Sequence, residues 1–175
     1  MPQPPPARPV VAGAIVGHST LRIWSLASDE RLRRQLGRAG ASIDVAGSTQ
    51  VVLLRADWVY DDPLVRCLVR QDAPCSMWTV EGQCVAVVVP PERIAEARGA
   101  LAAGTAPADL PRLAPGEVAG SYNDKLRKRE PPFLLPLTAQ QLPAIEARVF
   151  AGSYKGVTDF VTLSWPRLVR AVTRV

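Results

Sequence analysis

Short apolar runs alternate with amphipathic stretches over the first hundred residues of the chain. Residues 10–16 and 50–57 have the continuous apolar character of buried strands, and the second run ends at Asp57. Leucines and valines recur at helical spacing between and after these runs. The predicted order is strand 10–16, helix 28–40, strand 50–57, a helix opened by Asp62 and Pro63, strands 75–79 and 84–89 joined by a turn at 81–83, and helix 92–103. This alternation predicts an α/β layered domain whose sheet is largely parallel.

The ends of two predicted helices carry capping residues. We expect Ser28 to be the N-cap of the first helix and Gly40 to end it in a left-handed conformation. Asp61 and Asp62 are expected to cap the helix that has Pro63 in its first turn.

Proline and glycine divide the chain into three parts. Residues 1–9 are rich in proline and are expected to form a disordered lead-in. Residues 10–120 form the α/β domain, and its last stretch, 104–120, is predicted to be a linker or surface loop because it is rich in Ala, Pro and Gly. Residues 121–175 are expected to form a basic, helical, membrane-proximal segment.

The last part contains two predicted helices. One spans residues 139–151, with Pro143 in its first turn. The other begins at residue 157, and Pro166 is expected to kink or divide it. Its apolar stripe consists of positions 157, 160, 161, 165, 168, 169 and 172, and arginines occupy the other face. The pattern is typical of a helix in a membrane interface, but a helix packed on the α/β domain, with its arginines in solvent, fits it as well.

Positive charge is concentrated at the C-terminal end. The chain has 21 Lys and Arg against 16 Asp and Glu, a net charge of +5. Residues 1–120 hold twelve charges of each sign and no lysine, whereas residues 121–175 hold nine basic and four acidic residues. A neutral domain with a cationic, amphipathic tail indicates contact with an anionic membrane surface. The residues expected to contact lipid or phosphate are Lys125, Arg127, Lys128, Arg129, Lys155, Arg167, Arg170 and Arg174.

Composition excludes several classes of protein. No run approaches the ~20 apolar residues of a membrane-spanning helix, and the N-terminus lacks the apolar core of a secretory signal. Cys67, Cys75 and Cys84 lack Cys-x-x-Cys spacing, which favours reduced, mostly buried thiols. His18 is the only histidine, which excludes a His-rich metal site. Three of the four tryptophans are expected to pack in or beside the core: Trp24, Trp58 and Trp78.

Two blocks, residues 121–136 (SYNDKLRKREPPFLLP) and 150–162 (FAGSYKGVTDFVT), resemble a region of bacterial CDP-alcohol phosphatidyltransferases that carry a large soluble N-terminal extension. The region lies just upstream of their first membrane helix. The resemblance implies an interfacial helix, a downstream membrane-embedded catalytic domain as partner, and a place at the cytoplasmic face of the bacterial inner membrane. That family's signature, Asp-x-x-Asp-Gly with Gly-x-x-x-Asp-x-x-x-Asp, does not occur within residues 1–175. The family's chemistry is therefore not expected to reside in them.

Residues 30–40 and 51–61 are similar to parts of a sugar-nucleotidyltransferase fold of the cytidylyltransferase type. The similarity implies a Rossmann-like domain in which Asp57 helps to hold Mg²⁺ beside nucleotide phosphates. The residues alone favour another role for Asp57, that of a strand-end residue that caps the next turn. The loop after the first strand has a single glycine, Gly17, and only Arg22 as a basic residue, which is poorly suited to cradling a triphosphate. We therefore expect a reduced, catalytically inactive relative.

The expected function is that of an extramembrane domain of a CDP-alcohol phosphatidyltransferase, which acts in phospholipid synthesis through scaffolding, substrate delivery or homodimer contact. One alternative is an active Mg²⁺-dependent cytidylyltransferase that makes a CDP-alcohol. The second is a basic nucleic-acid-binding protein. It is disfavoured, and no nucleic-acid partner is expected, because the positive charge is confined to the tail without an aromatic-basic readout motif.

Overall fold

The computed structural model describes residues 10–119 and 132–153. The strands are β1 (Val11–Val16), β2 (Arg22–Ile23), β3 (Leu26–Ala27), β4 (Gln50–Arg55), β5 (Trp58–Tyr60), β6 (Cys75–Trp78), β7 (Cys84–Val89), β8 (Arg112–Leu113) and β9 (Leu134–Pro136). The α-helices are α1 (Ser28–Ala39), α2 (Asp62–Val69), α3 (Ile94–Ala102), α4 (Pro115–Val118) and α5 (Leu142–Ser153), and a 3-10 turn, Pro91–Arg93, precedes α3. The fold is mixed α/β. Four strands (β1, β4, β6 and β7) and three helices (α1, α2 and α3) lie close to where the sequence pattern predicts them, whereas the short strands β2, β3 and β5 were not predicted.

Five strands form the central sheet in the order β1-β4-β7-β6-β8. β1 runs parallel to β4, from Val11 beside Gln50 to Val16 beside Arg55. β7 runs antiparallel to both β4 and β6, and β6 runs parallel to β8. The prediction of a largely parallel sheet was therefore wrong. The tight turn between β6 and β7 forces those strands to be antiparallel, and β7 then lies beside β4 in the reverse direction.

Helices cover both faces of this sheet. Alternate residues of β4 point to opposite sides, as the pleat of a strand requires, and each set joins its own apolar cluster. Val52 and Leu54 share a buried cluster with the leucines of α1 and α2, namely Leu32, Leu36, Leu64 and Leu68. Val51 and Leu53 share a second cluster with Ala97 and Leu101 of α3. Because both faces are covered, β4 reads as a continuous apolar run in the sequence.

The predicted helix ends were right in part. Gly40 has a φ of 97° and ends α1 in the left-handed conformation, and the Asp61 side chain accepts a hydrogen bond from the Asp62 amide at the start of α2. Asp62 is the first residue of α2, and its carboxylate accepts from Gln35 Nε2 at 2.6 Å and so does not cap the helix. The prediction that Ser28 is the N-cap was wrong, since Ala27 occupies that position. β3 leads directly into α1, and the Ser28 hydroxyl instead donates to the Ala56 carbonyl oxygen at 2.5 Å.

Residues 104–119 belong to the packed domain, which corrects their prediction as a linker or surface loop. They contain β8, which extends the sheet, and α4. Leu110 and Val118 are buried, and the Ser76 amide donates to the Pro111 carbonyl oxygen at 2.9 Å. β8 and α4 could not be predicted, because both elements are too short to show a hydrophobic period. The prolines beside them also favour the prediction of a loop.

Residues 132–153 pack on the domain formed by residues 10–119. β9 pairs antiparallel with β5, with Trp58 beside Pro136 and Tyr60 beside Leu134. α5 places the fully buried Ile145 in a third apolar cluster with Ile23, Val59 and Leu137. Pro143 falls in the first turn of α5, as predicted. We refer to Ile23, Val59, Leu137 and Ile145 below as the end cluster.

We predict that Ile145→Ala lowers the free energy of unfolding by about 2–5 kcal/mol, because it leaves a cavity in the end cluster. Ile43→Ala makes the same chemical change at a side chain that is 63% exposed, and it should change stability by less than about 0.5 kcal/mol. Urea denaturation of the full chain measures both. Equal effects of the two substitutions would show that α5 does not pack as described.

Candidate functional site

The carboxyl ends of β1 and β4 lie side by side, at the edge where α/β folds bind ligands. β1 ends at Val16 and β4 at Arg55, which are register partners. The Ala56 amide donates to the Val16 carbonyl oxygen at 2.9 Å, while the Ala56 carbonyl oxygen accepts from Ser28. The turn after β4 is thus held to β1 on one side and to α1 on the other.

Asp57 lies in this turn and is engaged by Arg55. The Arg55 Nε donates to Asp57 Oδ1 at 2.9 Å, and Nη2 donates to Oδ2 at 2.5 Å. The hydrogen bond with Asp57 is the main reason that the pKa of Arg55 is raised above its ordinary value. The Asp57 carbonyl oxygen also accepts from the Leu137 amide at 2.8 Å. Asp57 therefore fits the role of a turn residue anchored by a two-point ion pair.

The surroundings of Asp57 offer a poor set of ligands for Mg²⁺. Both carboxylate oxygens already accept hydrogen bonds from a guanidinium group, whose positive charge repels a cation. Within residues 10–119 and 132–153, no three His, Cys, Asp or Glu side chains come together as a metal-binding group. Mg²⁺ prefers several oxygen ligands in octahedral geometry, and Asp57 is a single carboxylate whose two oxygens already accept hydrogen bonds.

Tyr60 braces the same turn from within the core. Its hydroxyl oxygen accepts from the Arg55 amide at 3.0 Å and its hydroxyl donates to the Val85 carbonyl oxygen at 2.6 Å. Burial raises the pKa of Tyr60 well above its ordinary value. The residue is fully buried, so it ties β4 to β7 as a neutral phenol and is out of reach of a ligand.

Arg22, the basic residue that follows β1, makes a contact within the protein. Gly17 has a φ of 79°, which suits a glycine, and His18 is exposed. The Arg22 Nη1 donates to the Ser25 carbonyl oxygen at 3.0 Å. Arg22 is the first residue of β2 and braces the β2–β3 turn, and the loop before it, residues 17–21, has a single glycine.

The end cluster occupies the space beyond the two strand ends. Ile23 follows β1 and Val59 follows β4, and the two side chains are buried together with Leu137 and Ile145. Residues 132–153 thus contribute two of the four side chains of this cluster, which packs beside the segments that follow the two strand ends. This packing could not be predicted from the sequence, since Ile145 is separated from Ile23 by more than a hundred residues.

An aromatic pair lies on the outside of this end. Trp24 and Phe150 meet edge to face, with ring centroids 6.5 Å apart, and they are 48% and 42% exposed. Together with Glu146 and Ala147 they line a shallow depression of about 200 Å³. The expectation that Trp24 packs in or beside the core was wrong, whereas Trp58 is buried and Trp78 is half-buried.

Trp24 occupies a backbone conformation that few tryptophans adopt. β2 and β3 are joined by Trp24 and Ser25, with φ values of 48° and 69°. Positive φ at both central residues is typical of the two-residue hairpin turn that Asn-Gly usually forms. The left-handed conformation costs about 1–2 kcal/mol for each L-residue other than glycine. Sequence analysis did not predict this hairpin, because strands of two residues show no alternation and Trp-Ser is not a typical turn sequence.

The cysteines fit the prediction of reduced, mostly buried thiols. None forms a disulfide, and Cys75 and Cys84 are buried while Cys67 is half-buried. Burial raises the pKa of Cys75 to about 11 and that of Cys84 to about 12. Neither thiol forms an appreciable thiolate at neutral pH, so neither is suited to nucleophilic chemistry.

The basic residues expected to contact lipid lie outside the described residues, as does the apolar stripe 157–172. This applies to Lys125, Arg127, Lys128, Arg129, Lys155, Arg167, Arg170 and Arg174. The structure therefore places only Asp57 among the predicted site residues.

Comparison with known proteins adds no relative. A scan against the models of protein families found no match, and a search of curated proteins found none either.

We predict that Asp57→Asn lowers the free energy of unfolding by at most about 1 kcal/mol, because the Asp57 side chain is 45% exposed and solvent weakens the ion pair. The loss should disappear when Arg55→Met is already present, because the guanidinium partner is then gone. A double-mutant cycle by urea denaturation measures this coupling. A loss that persists in the Arg55→Met background would mean that Asp57 has a different partner.

Proposed function

We propose that this chain is the extramembrane domain of a bacterial CDP-alcohol phosphatidyltransferase and is held at the anionic cytoplasmic face of the inner membrane by its C-terminal third. In this proposal the α/β body is a reduced, nucleotidyltransferase-like (Rossmann-like) domain without catalytic activity. A juxtamembrane helix from residue 157 onward joins it to a membrane-embedded catalytic domain. The body serves as a scaffold or as a contact between two copies of the enzyme.

The separation of charge carries the proposal. The described residues, 10–119 and 132–153, contain twelve basic and thirteen acidic residues. The remaining 43 residues contain nine basic and three acidic ones. A near-neutral body has little attraction of its own for an anionic surface, whereas each Lys or Arg close to such a surface contributes about 1 kcal/mol. Attraction to lipid therefore resides in the segments 120–131 and 154–175.

The geometry of the strand ends supports a non-catalytic body. Asp57 is paired with Arg55, and the end cluster fills the space beyond β1 and β4. Among the helices within the described ranges, none combines the length and the apolar character needed to cross a bilayer. The resemblance of residues 121–136 and 150–162 to the approach to the first membrane helix in the phosphatidyltransferase family supplies the specific family.

We predict that the full chain floats with vesicles of phosphatidylcholine and phosphatidylglycerol, and that glutamine at Lys125, Arg127, Lys128 and Arg129 together lowers the partition coefficient at least about tenfold. The loss follows from the removal of four charges that adjoin an apolar segment. Binding of the unaltered chain should weaken as salt increases.

The matched control replaces four exposed arginines of the body, Arg33, Arg34, Arg66 and Arg70, by glutamine. It removes the same charge and should leave most of the binding, because the body does not supply the attraction. Absence of flotation by the unaltered chain, or equal loss in both variants, would refute the membrane proposal. Binding of oligonucleotides with a steep salt dependence would favour the nucleic-acid alternative instead.

The position of Asp57 at the carboxyl edge of a strand favours one second candidate, an active Mg²⁺-dependent cytidylyltransferase. We predict no heat of binding when CTP and Mg²⁺ are titrated together into the chain, because the edge is closed by the end cluster and the carboxylate is paired. Isothermal titration calorimetry measures this. Saturable binding that Asp57→Asn abolishes would establish the second candidate in place of the first.

A further inference from the structure

Two of the exposed apolar side chains among the described residues lie in contact with each other. The five large ones are Val10, Trp24, Ile43, Val80 and Phe150. Val10 precedes β1, and Ile43 follows Ser42, which pairs with Ala12 near the start of the same strand. Val80 lies at the opposite end of the sheet, in the turn between β6 and β7. Trp24 and Phe150 are the two that meet, at the end where β1 and β4 terminate.

Two hydrogen bonds hold the backbone of the turn that carries Trp24. The Trp24 amide donates to Glu146 Oε1 at 3.0 Å, and the Arg22 guanidinium donates to the Ser25 carbonyl oxygen on the other side of the turn. Asn or Gly would form this turn with less strain. The Trp24 ring nevertheless remains about half exposed. A large aromatic residue that has a strained backbone and an exposed ring indicates a role outside the fold.

We propose that Trp24 and Phe150 insert into the headgroup region of an anionic lipid membrane and set the orientation of the α/β body on it. This inference rests on the membrane association proposed above. Tryptophan favours the boundary between headgroups and acyl chains, and an apolar contact adds to the attraction from basic residues.

Two features of the structure favour a membrane as the occupant. Phe150 lies in the last turn of α5, which leads at Ser153 into residues 154–175, the segment with the cationic, amphipathic pattern. The nearby charges also suit an anionic surface. Arg22 lies at the hairpin, and the Arg148 guanidinium lies 5.9 Å from the Phe133 ring centroid. The acidic residue beside the aromatic pair is Glu146, whose carboxylate accepts the Trp24 amide hydrogen bond. Of the other acidic residues at this end of the sheet, Asp57 is paired with Arg55 and Glu81 lies in the more distant β6–β7 turn.

A second copy of the chain is a weaker candidate, because the patch is small. An aromatic side chain has roughly 150–250 Å² to bury, so two rings that are about half exposed present on the order of 200 Å². A stable protein interface needs about 800 Å² on each partner. A membrane has no such requirement, since binding at its surface is the sum of the apolar area inserted and the attraction from basic residues.

Three substitutions in the full chain separate this role from a structural one. Trp24→Asn removes the ring but suits the left-handed conformation, so the melting temperature should stay within a few degrees of its original value. Ser25→Gly relaxes the same turn and keeps the ring. Ile43→Asn removes an exposed apolar side chain from the opposite end of the sheet.

The measurement is partitioning onto vesicles of phosphatidylcholine and phosphatidylglycerol, at low and at high salt. Trp24→Asn should lower the partition coefficient about tenfold, equivalent to ~1.4 kcal/mol, and by a similar factor at high salt because an apolar contact is not screened. Ser25→Gly and Ile43→Asn should leave it unchanged. The variant with glutamine at Lys125, Arg127, Lys128 and Arg129 should differ from the original chain mainly at low salt. The difference in partition coefficient should shrink as salt increases, because salt screens the attraction of the original chain.

Fluorescence locates the ring directly. In a Trp165→Phe background, vesicles should shift the tryptophan emission to the blue, and brominated phosphatidylcholine should quench it. Both effects should be absent when Trp24→Asn is added.

The outcomes distinguish the two proposals. No vesicle binding by the unaltered chain overturns both. Binding that depends on residues 125–129 but is equal in Trp24→Asn and the original overturns this inference alone. Shielding of Trp24 from acrylamide before vesicles are added also overturns it. If that shielding increased with protein concentration, a second copy of the chain would be the occupant. If it did not change with protein concentration, the segment 154–175 would be the occupant.

Discussion

The buried contact of Ile145 with Ile23, Val59 and Leu137 is the constraint on which the arrangement of this end of the molecule depends. It joins segments that follow two parallel strands to a helix more than eighty residues later. Apolar side chains fill the space beyond the strand ends, where a crevice for a ligand would otherwise open. The same contact fixes the position of α5 and so brings Phe150 beside Trp24. Closure of the sheet end and exposure of the aromatic pair are therefore two results of one packing arrangement.

Electrostatics at this end follow from short local contacts. Arg55 neutralises Asp57, Arg22 braces the turn after β2, and Glu146 accepts the Trp24 amide hydrogen bond. The described body is nearly neutral, so the long-range field of the chain comes from the basic residues of the segments 120–131 and 154–175. In the proposed membrane complex these residues draw the chain to the surface. The aromatic pair acts only at contact, which is why it can determine orientation.

Much of the fold could be predicted from the sequence because its signals are local. β1, β4, β7, α1 and α2 follow from apolar runs and helical spacing, and Gly40 marks the end of α1. The direction of β7 beside β4 could not be predicted, since it depends on strand order. At the candidate site, the position of Asp57 after a strand was predicted. Its pairing with Arg55 was not, because it depends on the turn at residues 56–57, whose geometry no sequence pattern marks.

The sequence by itself determined where most strands and helices lie, where α1 stops, and that positive charge is concentrated toward the C-terminus. Each of these follows from the spacing or composition of neighbouring residues. Only the tertiary structure decided that residues 104–119 complete the sheet and that residues 132–153 close its end. It also decided that Trp24 stays exposed beside Phe150. These outcomes rest on the hydrogen bond from Trp24 to Glu146 and on the burial of Ile23 and Ile145 in one cluster. Residues so far apart in the chain leave no periodic pattern from which their contact can be inferred.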